Sequence, residues 1–278
     1  AVINRLVETG MTQDMKVKLA EELSDDVLIY VHPSRYIETI NRSEPTISTV
    51  NLDPDTYMSQ GSLRAAKLAA GACVAAVNDI LREKTDRAFC AIRPPGHHAE
   101  VASAMGFCIF NNIALAAETA LAHPDINRVA IVDFDVHHCN GTVDIFKDRP
   151  EVLVCSSFQE NYYPYRYLDF SNEHIVNSPL PKGTDGKSFR AAIERDWLPA
   201  LDDHQPDFLL ISAGFDAHEQ DPLAELCLLE ADYSWITEQL LCIATNHSQG
   251  RVISTLEGGY DLSALASSVE AHVSVLMQ

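Results

Sequence analysis

The stretch Arg128-Val-Ala-Ile-Val-Asp-Phe-Asp-Val-His-His-Cys-Asn-Gly-Thr142 constrains the fold more than any other part of the chain. Arg128 to Phe134 is a short, nearly all-apolar, β-branched run, the pattern of a strand buried on both faces of a parallel sheet. Its polar residues come at the end. Side chains alternate along extended backbone, so Asp133, Asp135 and His137 are expected on one side, with Phe134, Val136 and His138 on the other. Two carboxylates and an imidazole then converge at the mouth of an apolar strand. Like charges there are costly unless a proton or a cation neutralises them, and a divalent metal is the usual solution. The alternative is a polar cluster that caps the next helix, because Asn140 and Thr142 are good cap residues.

Three further apolar runs end in the same abrupt way. Ala88 to Ile92 runs into Arg93-Pro-Pro-Gly-His-His98, Phe208 to Ala213 into Gly214-Phe-Asp216-Ala-His218, and Arg251 to Leu256 into Glu257-Gly-Gly-Tyr-Asp261. Between them the periodicity predicts helices from Ala1 to Val7, from Pro33 to Arg42, from Gly61 to Glu83, from Asn111 or Asn112 to Ala122, from Lys187 to Leu201 and from Glu230 to Thr245, with a last helix after Asp261. Val27-Leu-Ile-Tyr-Val31 and Val152 to Ser156 read as strands, and Gln159 to Pro181 as a long, aromatic, irregular loop. Strands alternating with helices of this length predict a three-layer α/β fold with a mainly parallel sheet. In such sheets ligands bind outside the carboxyl ends of the strands, so the four polar loops should meet at one site. No repeat, low-complexity segment or linker divides the chain, and residues 1–278 read as one domain.

Charge is the strongest departure from the globular average. Forty acidic against 20 basic residues give a formal −20, which repels nucleic-acid phosphate and favours cationic partners. No apolar run is long enough to span a membrane. The seven cysteines show no Cys-x-x-Cys pair and lie mostly in apolar runs, which predicts reduced thiols and a cytoplasmic setting. The chain opens within an amphipathic helix with neither an initiator Met nor a cap, so its true beginning is expected to lie upstream.

Asp135 and His137, joined by Asp216 from another strand end, would form an N/O set of three ligands with an open position, as at a catalytic zinc; iron(II) would also suit them. His97-His98, held in a rigid turn by two prolines and Gly96, would add a general base and an electrostatic partner. Tyr260 follows two glycines on a loop able to approach a ligand, where its hydroxyl could stabilise a developing oxyanion. Phe107 and Tyr163 could line an apolar slot. His32, His123, His174, His204, His247 and His272 have no partners readable from sequence and are expected to be structural.

Taken together these segments resemble the zinc-dependent histone deacetylase superfamily, most closely its class II and bacterial amidohydrolase branch. The resemblance rests on Leu52-Asp-Pro-Asp-Thr56, Arg93-Pro-Pro-Gly-His-His-Ala99, Gly106-Phe-Cys108, Val132-Asp-Phe-Asp-Val-His-His138, Asn140-Gly-Thr142, Ser212-Ala-Gly-Phe-Asp-Ala217, Asp221-Pro-Leu223 and Glu257-Gly-Gly-Tyr260. It implies an arginase/deacetylase fold in which Asp135, His137 and Asp216 bind one Zn2+. It further implies His98 as general base and acid, with His97 hydrogen-bonded to Asp133 as its electrostatic partner, and Tyr260 as the group that polarises the amide carbonyl. Phe107 and Tyr163 would flank an acyl-lysine tunnel with Leu223 at its entrance, and Asp55 would hold the substrate backbone. A structural K+ is implied near Asp133, Asp135, His137 and Ser156.

Some positions depart from the pattern. Cys139 stands where Gly is usual, so a backbone conformation eased by Gly would have to be tolerated. Asn140 replaces an Asp, which implies a less basic His98. Phe158 occupies a place where many relatives have His, and the first strand with its Pro-x-Arg segment is missing before Ala1. The reading is a zinc amidohydrolase acting on acyl-lysine in protein or peptide. An acetylpolyamine deacetylase, taking a small acetylated amine, and a catalytically silent acyl-group binding protein are the alternatives. Retention of all three ligands, both histidines and Tyr260 argues against silence, and an arginase-type hydrolase would need further carboxylates for a second metal.

Overall fold

The apolar runs do become strands, and the segments between them pack as helices. The structure is a computed structural model that describes residues 1–278. In chain order its elements are α1 (Val2–Glu8), α2 (Asp25–Leu28), α3 (Ser34–Ser43), a short hairpin of β1 (Val50–Asn51) and β2 (Tyr57–Met58), α4 (Ser62–Leu81), β3 (Arg87–Cys90), α5 (Asn112–Leu121), β4 (Val129–Asp133), α6 (Asn140–Phe146), β5 (Val152–Gln159), β6 (Ile175–Leu180), α7 (Gly186–His204), β7 (Phe208–Ala213), α8 (Glu230–His247), β8 (Val252–Leu256) and α9 (Leu262–Leu276). Six strands form one sheet in the order β3-β8-β7-β4-β5-β6, and every pairing in it is parallel.

Each central strand is buried on both faces, and its residues divide alternately between two cores. In β4, Val129 and Ile131 join the core beneath α3, α4 and α5, while Ala130 and Val132 join the core beneath α7, α8 and α9. Phe208 and Leu210 of β7 enter the first core, and Leu209 and Ile211 the second. This is the period of two expected of extended chain, and it produces the three layers. From β4 the chain proceeds through β5 and β6 to one side, then returns to place β7 and β8 on the other. The connection reverses at β4, and a crevice opens there at the carboxyl ends of the strands.

Three local expectations, and the alternative of a polar helix cap, give way. Val27 to Val31 is not a strand: Asp25–Leu28 is one helical turn, with Leu28 and Val31 buried while Ile29 and Tyr30 are exposed. That three-residue spacing is a helical face, and the short apolar run hid it. The region 159–181 is not wholly irregular, since Ile175–Leu180 pairs in parallel with β5 as the outermost strand. Pro179 is compatible with a strand only at such an edge, and together with Asn177 and Ser178 it masked the strand pattern. The residues after His138 do not form a polar helix cap. Cys139 occupies the cap position of α6 and makes no side-chain cap bond. Cys139 also has φ −79°, so the position does not call for the left-handed conformation that only Gly adopts freely.

All seven cysteines are unpaired thiols, and no helix is long and apolar enough to cross a membrane. The histidines read as structural include two deep inside the fold. His32 Nε2 accepts the Asn111 N–H at 3.0 Å and its Nδ1 lies 3.0 Å from the Val101 carbonyl. His272 sits between Thr237 Oγ1 at 2.6 Å and Ser254 Oγ at 2.8 Å, and burial pulls its pKa down to about 3.

A neutral buried histidine makes the fold acid-sensitive. Because the folded pKa of His272 lies below its unfolded value of about 6.5, the unfolded chain gains a proton that the folded chain refuses as pH falls through that window. Stability is therefore full above the unfolded pKa and is lost progressively down to the folded one. We predict that His272→Gln loses about 1.4 kcal/mol less stability than the wild type between about pH 7.5 and about pH 5.5. Urea midpoints at the two pH values check this, and equal acid losses would show that His272 is charged in the folded protein.

Candidate active site

The strand β4 ends at Asp133, and the chain then leaves the sheet with its polar groups tied down one by one. Asp133 Oδ1 accepts the Asp135 N–H at 3.0 Å, and Asp135 Oδ1 accepts the His137 N–H at 2.9 Å. Neighbouring strand ends supply the rest. Gly258, after β8, donates its N–H to Asp135 Oδ2 at 2.8 Å, and Val136 donates to Asp216 Oδ1, after β7, at 2.9 Å. A Cβ on Gly258 would stand 2.0 Å from Asp216 Oδ2 and 2.6 Å from Asp135 Oδ2. Glycine is required there because backbone must approach both carboxylates.

Asp135, His137 and Asp216 each present one ligand atom, all within 4.8 Å of one another. His137 Nδ1 lies 3.0 Å from Asp135 Oδ1 and 3.2 Å from Asp216 Oδ2. Asp216 Oδ2 is buried with no well-formed hydrogen bond, its nearest polar neighbour being the His137 nitrogen it shares with Asp135, which is costly for a carboxylate oxygen unless a cation takes its charge. The electrostatics point the same way. Burial, then the charge of Asp135, pushes Asp216 up to about 7. Burial disfavours charge on His137, but the Asp135 and Asp216 carboxylates outweigh it and lift His137 to about 10. A proton is thus held where a divalent ion would fit, in an N/O donor set that suits zinc.

His97 and His98 follow β3, and both are buried. His97 Nδ1 lies 2.9 Å from Asp133 Oδ2, while His98 Nδ1 lies 2.7 Å from Asn140 Oδ1. The rings are 4.0 Å apart, centroid to centroid, yet their proton affinities diverge. Burial works against a charge on His97, but Asp133 and Asp135 prevail and raise its pKa well above the ordinary value. Burial and then the charges of His97 and His137 hold His98 well below it. The Asn140 bond acts in the opposite sense but is outweighed, since a neutral amide brings no charge to offset burial and the neighbouring cations. Gly106, at φ +57°, lets the loop cross the ring, since a Cβ there would fall 2.2 Å from His98 Cδ2.

The other expected residues border this centre unevenly. Tyr260 lies in the loop after β8, its N–H bonded to Asp221 Oδ2 at 2.8 Å. Burial, then Asp216 and Asp135, raises its phenol pKa, so it keeps its proton. Phe107 is 42% exposed and meets the Tyr260 ring at 6.2 Å. Tyr163 packs edge-on against His98 at 5.2 Å and His137 at 5.9 Å. Leu223 is exposed at the outer edge, its N–H bonded to Asp221 Oδ1. Asp55 is half-buried, and its Oδ1 accepts the Gly106 N–H at 3.1 Å and the Thr56 hydroxyl at 3.0 Å. Phe158 meets His138 edge-on at 4.8 Å, away from the ligand set.

Three contributors had no role assigned from sequence. Glu257 is buried; it accepts the Gly96 and His97 N–H groups through Oε2 and the Ser212 hydroxyl through Oε1, and burial pushes it up to about 7. Asp221 ties Leu223 to Tyr260 through its two oxygens. Both stood inside quoted motifs, the only signal available. Tyr162 stacks on His137 at 5.5 Å and 23° and donates its hydroxyl to the Leu223 carbonyl. In an irregular loop no periodicity could separate its direction from that of Tyr163.

Residues 1–276 match the family model described as the histone deacetylase domain. The chain is 36% identical over 259 residues to the histone deacetylase-like amidohydrolase of Pseudomonas aeruginosa, covering 91% of this chain and 68% of that one. It is 32% identical to a probable deacetylase of Archaeoglobus fulgidus, with 94% and 74% covered, and 37% identical to histone deacetylase 15 of Arabidopsis thaliana, with 93% and 48% covered. Among solved structures it superposes on the HDA15 HD domain with a TM-score of 0.91 at 36% identity, covering 99% of this chain and 80% of that chain. Sequence and fold agree over nearly the whole length, and the chain belongs to the histone deacetylase family.

Proposed function

We propose that this chain is a zinc-dependent deacylase that removes acetyl or a related acyl group from lysine side chains of proteins or peptides. The observation that carries this reading is the convergence of an Asp-His-Asp ligand set with two buried imidazoles and a phenol at one end of the sheet. A zinc ion held by Asp135, His137 and Asp216 would supply Lewis acidity, polarising the acyl carbonyl and acidifying a water. The chain's own groups would do the rest. His98 takes the proton of the attacking water and a histidine returns one to the leaving lysine amine, giving carboxylate and free amine. Tyr260 donates its hydroxyl to the carbonyl oxygen as that oxygen becomes anionic. His97, kept protonated by Asp133, adds positive charge beside the developing oxyanion. Phe107 and Tyr163 would line the apolar path of the acyl-lysine stem. A potassium ion near Asp133, Asp135, His137 and Ser156 belongs to the same reading. The unpaired thiols suit a reducing compartment such as the cytoplasm.

The alternative substrate is an acetylated polyamine, and the charge of −20 attracts it as well as it attracts lysine-rich tails. Leu223 separates the two. An apolar side chain at the entrance gives a remote ammonium no partner, which favours the uncharged flanks of an acyl-lysine in a peptide.

Three outcomes are expected. Because at neutral pH the metal-free protein holds a proton on His137 and a further fraction of one on Asp216, zinc loading should release between about one and two protons per chain; calorimetry in buffers of differing ionisation enthalpy measures it, and release of none would remove His137 from the ligand set. Tyr260→Phe should lower kcat by roughly a hundredfold to a thousandfold with the fold intact, and His98→Ala by about a hundredfold to ten-thousandfold. Near wild-type turnover in both, at unchanged metal content, would refute the assigned roles. Leu223→Glu should shift the ratio of kcat/KM on an acetyl-lysine peptide against acetylspermidine toward the polyamine by roughly ten- to a hundredfold. A wild type that already prefers acetylspermidine would replace the peptide reading with the polyamine one.

A further inference from the structure

A row of hydrogen bonds runs from the protein surface to the ring of His98. Arg166, half exposed on the loop that carries Tyr162 and Tyr163, pairs with Glu100 Oε2. The other carboxylate oxygen, Glu100 Oε1, accepts from Asn140 Nδ2 at 2.9 Å. Asn140 Oδ1 in turn lies 2.7 Å from His98 Nδ1. Glu100 and Asn140 are both buried, so water competes little for the inner contacts of the row, from Glu100 through Asn140 to His98.

The direction of each bond decides the state of the ring. A carboxylate only accepts, so the Asn140 amide must turn its NH2 toward Glu100 and its carbonyl oxygen toward His98. Further acceptors surround the same nitrogen, with Met105 Sδ at 3.2 Å and the His98 carbonyl at 3.4 Å. Turning the amide over would set its oxygen against three acceptors. A carbonyl oxygen at hydrogen-bond distance then requires a hydrogen on His98 Nδ1, which leaves the lone pair of the neutral ring on Nε2. Without Glu100 the amide would have weaker reason to choose, and without Arg166 the buried carboxylate would lack its countercharge.

We infer that Glu100 is a positioning residue which, balanced by Arg166, locks the Asn140 amide in one orientation and so fixes His98 as the tautomer protonated on Nδ1, with Nε2 free to accept a proton. Calling that proton catalytic rests on the hydrolase reading above; the orientation itself does not. The two residues at the ends of the row come from separate loops, so docking of the aromatic loop and readiness of His98 are linked through Glu100.

Long-range proton–nitrogen correlation spectra of the zinc-loaded protein, labelled at histidine, report the tautomer of each ring. The wild type should show His98 with hydrogen on Nδ1 alone, and Glu100→Leu a mixture of tautomers. In turnover, Glu100→Leu should lower kcat by about tenfold to a hundredfold with KM and metal content unchanged. Asn140→Asp alone sets a carboxylate against Glu100 and should lose kcat to a similar degree. Adding Glu100→Gln to Asn140→Asp reverses the polarity of the pair, since the new amide donates where the old carboxylate accepted, and should recover most of the lost kcat. An unchanged His98 tautomer in Glu100→Leu overturns the inference, as does an Asn140→Asp variant that equals the double variant without the second change. If Glu100→Leu does not fold, the Asn140 comparison decides. The spectra need no turnover, so a shifted tautomer in a protein that hydrolyses no acyl-lysine amide upholds the positioning role and overturns the proposed function.

Discussion

Four buried carboxylates, Asp133, Asp135, Asp216 and Glu257, are gathered at one edge of the sheet, and their repulsion is the constraint to which the surrounding structure answers. In a low-dielectric site such charges persist only when each is met by donors or by opposite charge. The fold supplies both. Backbone N–H groups of Asp135, Val136, His137, Gly258, Gly96 and His97 all point at these oxygens, and the imidazoles of His97 and His137 sit among them. One oxygen, Asp216 Oδ2, has no well-formed hydrogen bond of its own and only the His137 ring, shared with Asp135, beside it. Negative charge is thus over-provided beside an incomplete coordination sphere, the condition under which a divalent ion binds firmly.

Topology explains why the charges meet there. Asp135 and His137 follow β4 and Asp216 follows β7, and these strands are neighbours in the sheet although the chain visits β5 and β6 between them. The next strand outward, β8, brings Glu257, Gly258 and Tyr260, and the edge strand β3 brings the two histidines. On the other side β5 leads into Tyr162 and Tyr163. Parallel strands put all five ends on one rim, so residues far apart in sequence are delivered by rigid elements while the loops add only the last few ångströms.

The sequence is most legible where a single physical rule governs a residue. Buried parallel strands are nearly continuous apolar runs, and β3, β4, β7 and β8 were each recognisable from that and from the polar residues that close them. Val27 to Val31 misled because five apolar residues satisfy a strand and a helical turn equally, and only burial against α3 decides. The strand β6 was hidden by Asn177, Ser178 and Pro179, which belong at an edge that sequence cannot locate. At the site, charged residues ending a strand stood out, but partners that act across loops did not. Glu100 and Arg166 are distant in sequence and lie in irregular chain, so nothing in local pattern joins them. Tyr162 and Tyr163 differ only in direction, and direction in a loop is set by tertiary contacts. The bond by which Asp55 Oδ1 holds the Gly106 loop likewise joins residues distant in sequence.

Two adjacent histidines with opposite proton affinities are the consequence of this arrangement with the greatest chemical reach. Sequence makes His97 and His98 look interchangeable; the two rings stand 4.0 Å apart in nearly the same degree of burial. What separates them is the partner behind each ring. His97 faces Asp133, with Asp135 close by, and holds a proton. His98 faces the neutral amide of Asn140 and lies beside the positive charges that His97 and His137 carry. Each proton retained by His97 makes one on His98 less favourable, so the pair divides into a fixed cation and a ring able to accept. A metal ion at Asp135, His137 and Asp216 would replace the charge on His137 with its own and draw on the Asp135 carboxylate that also faces His97, whereas the contact of His97 with Asp133 and that of His98 with Asn140 lie outside that ligand set.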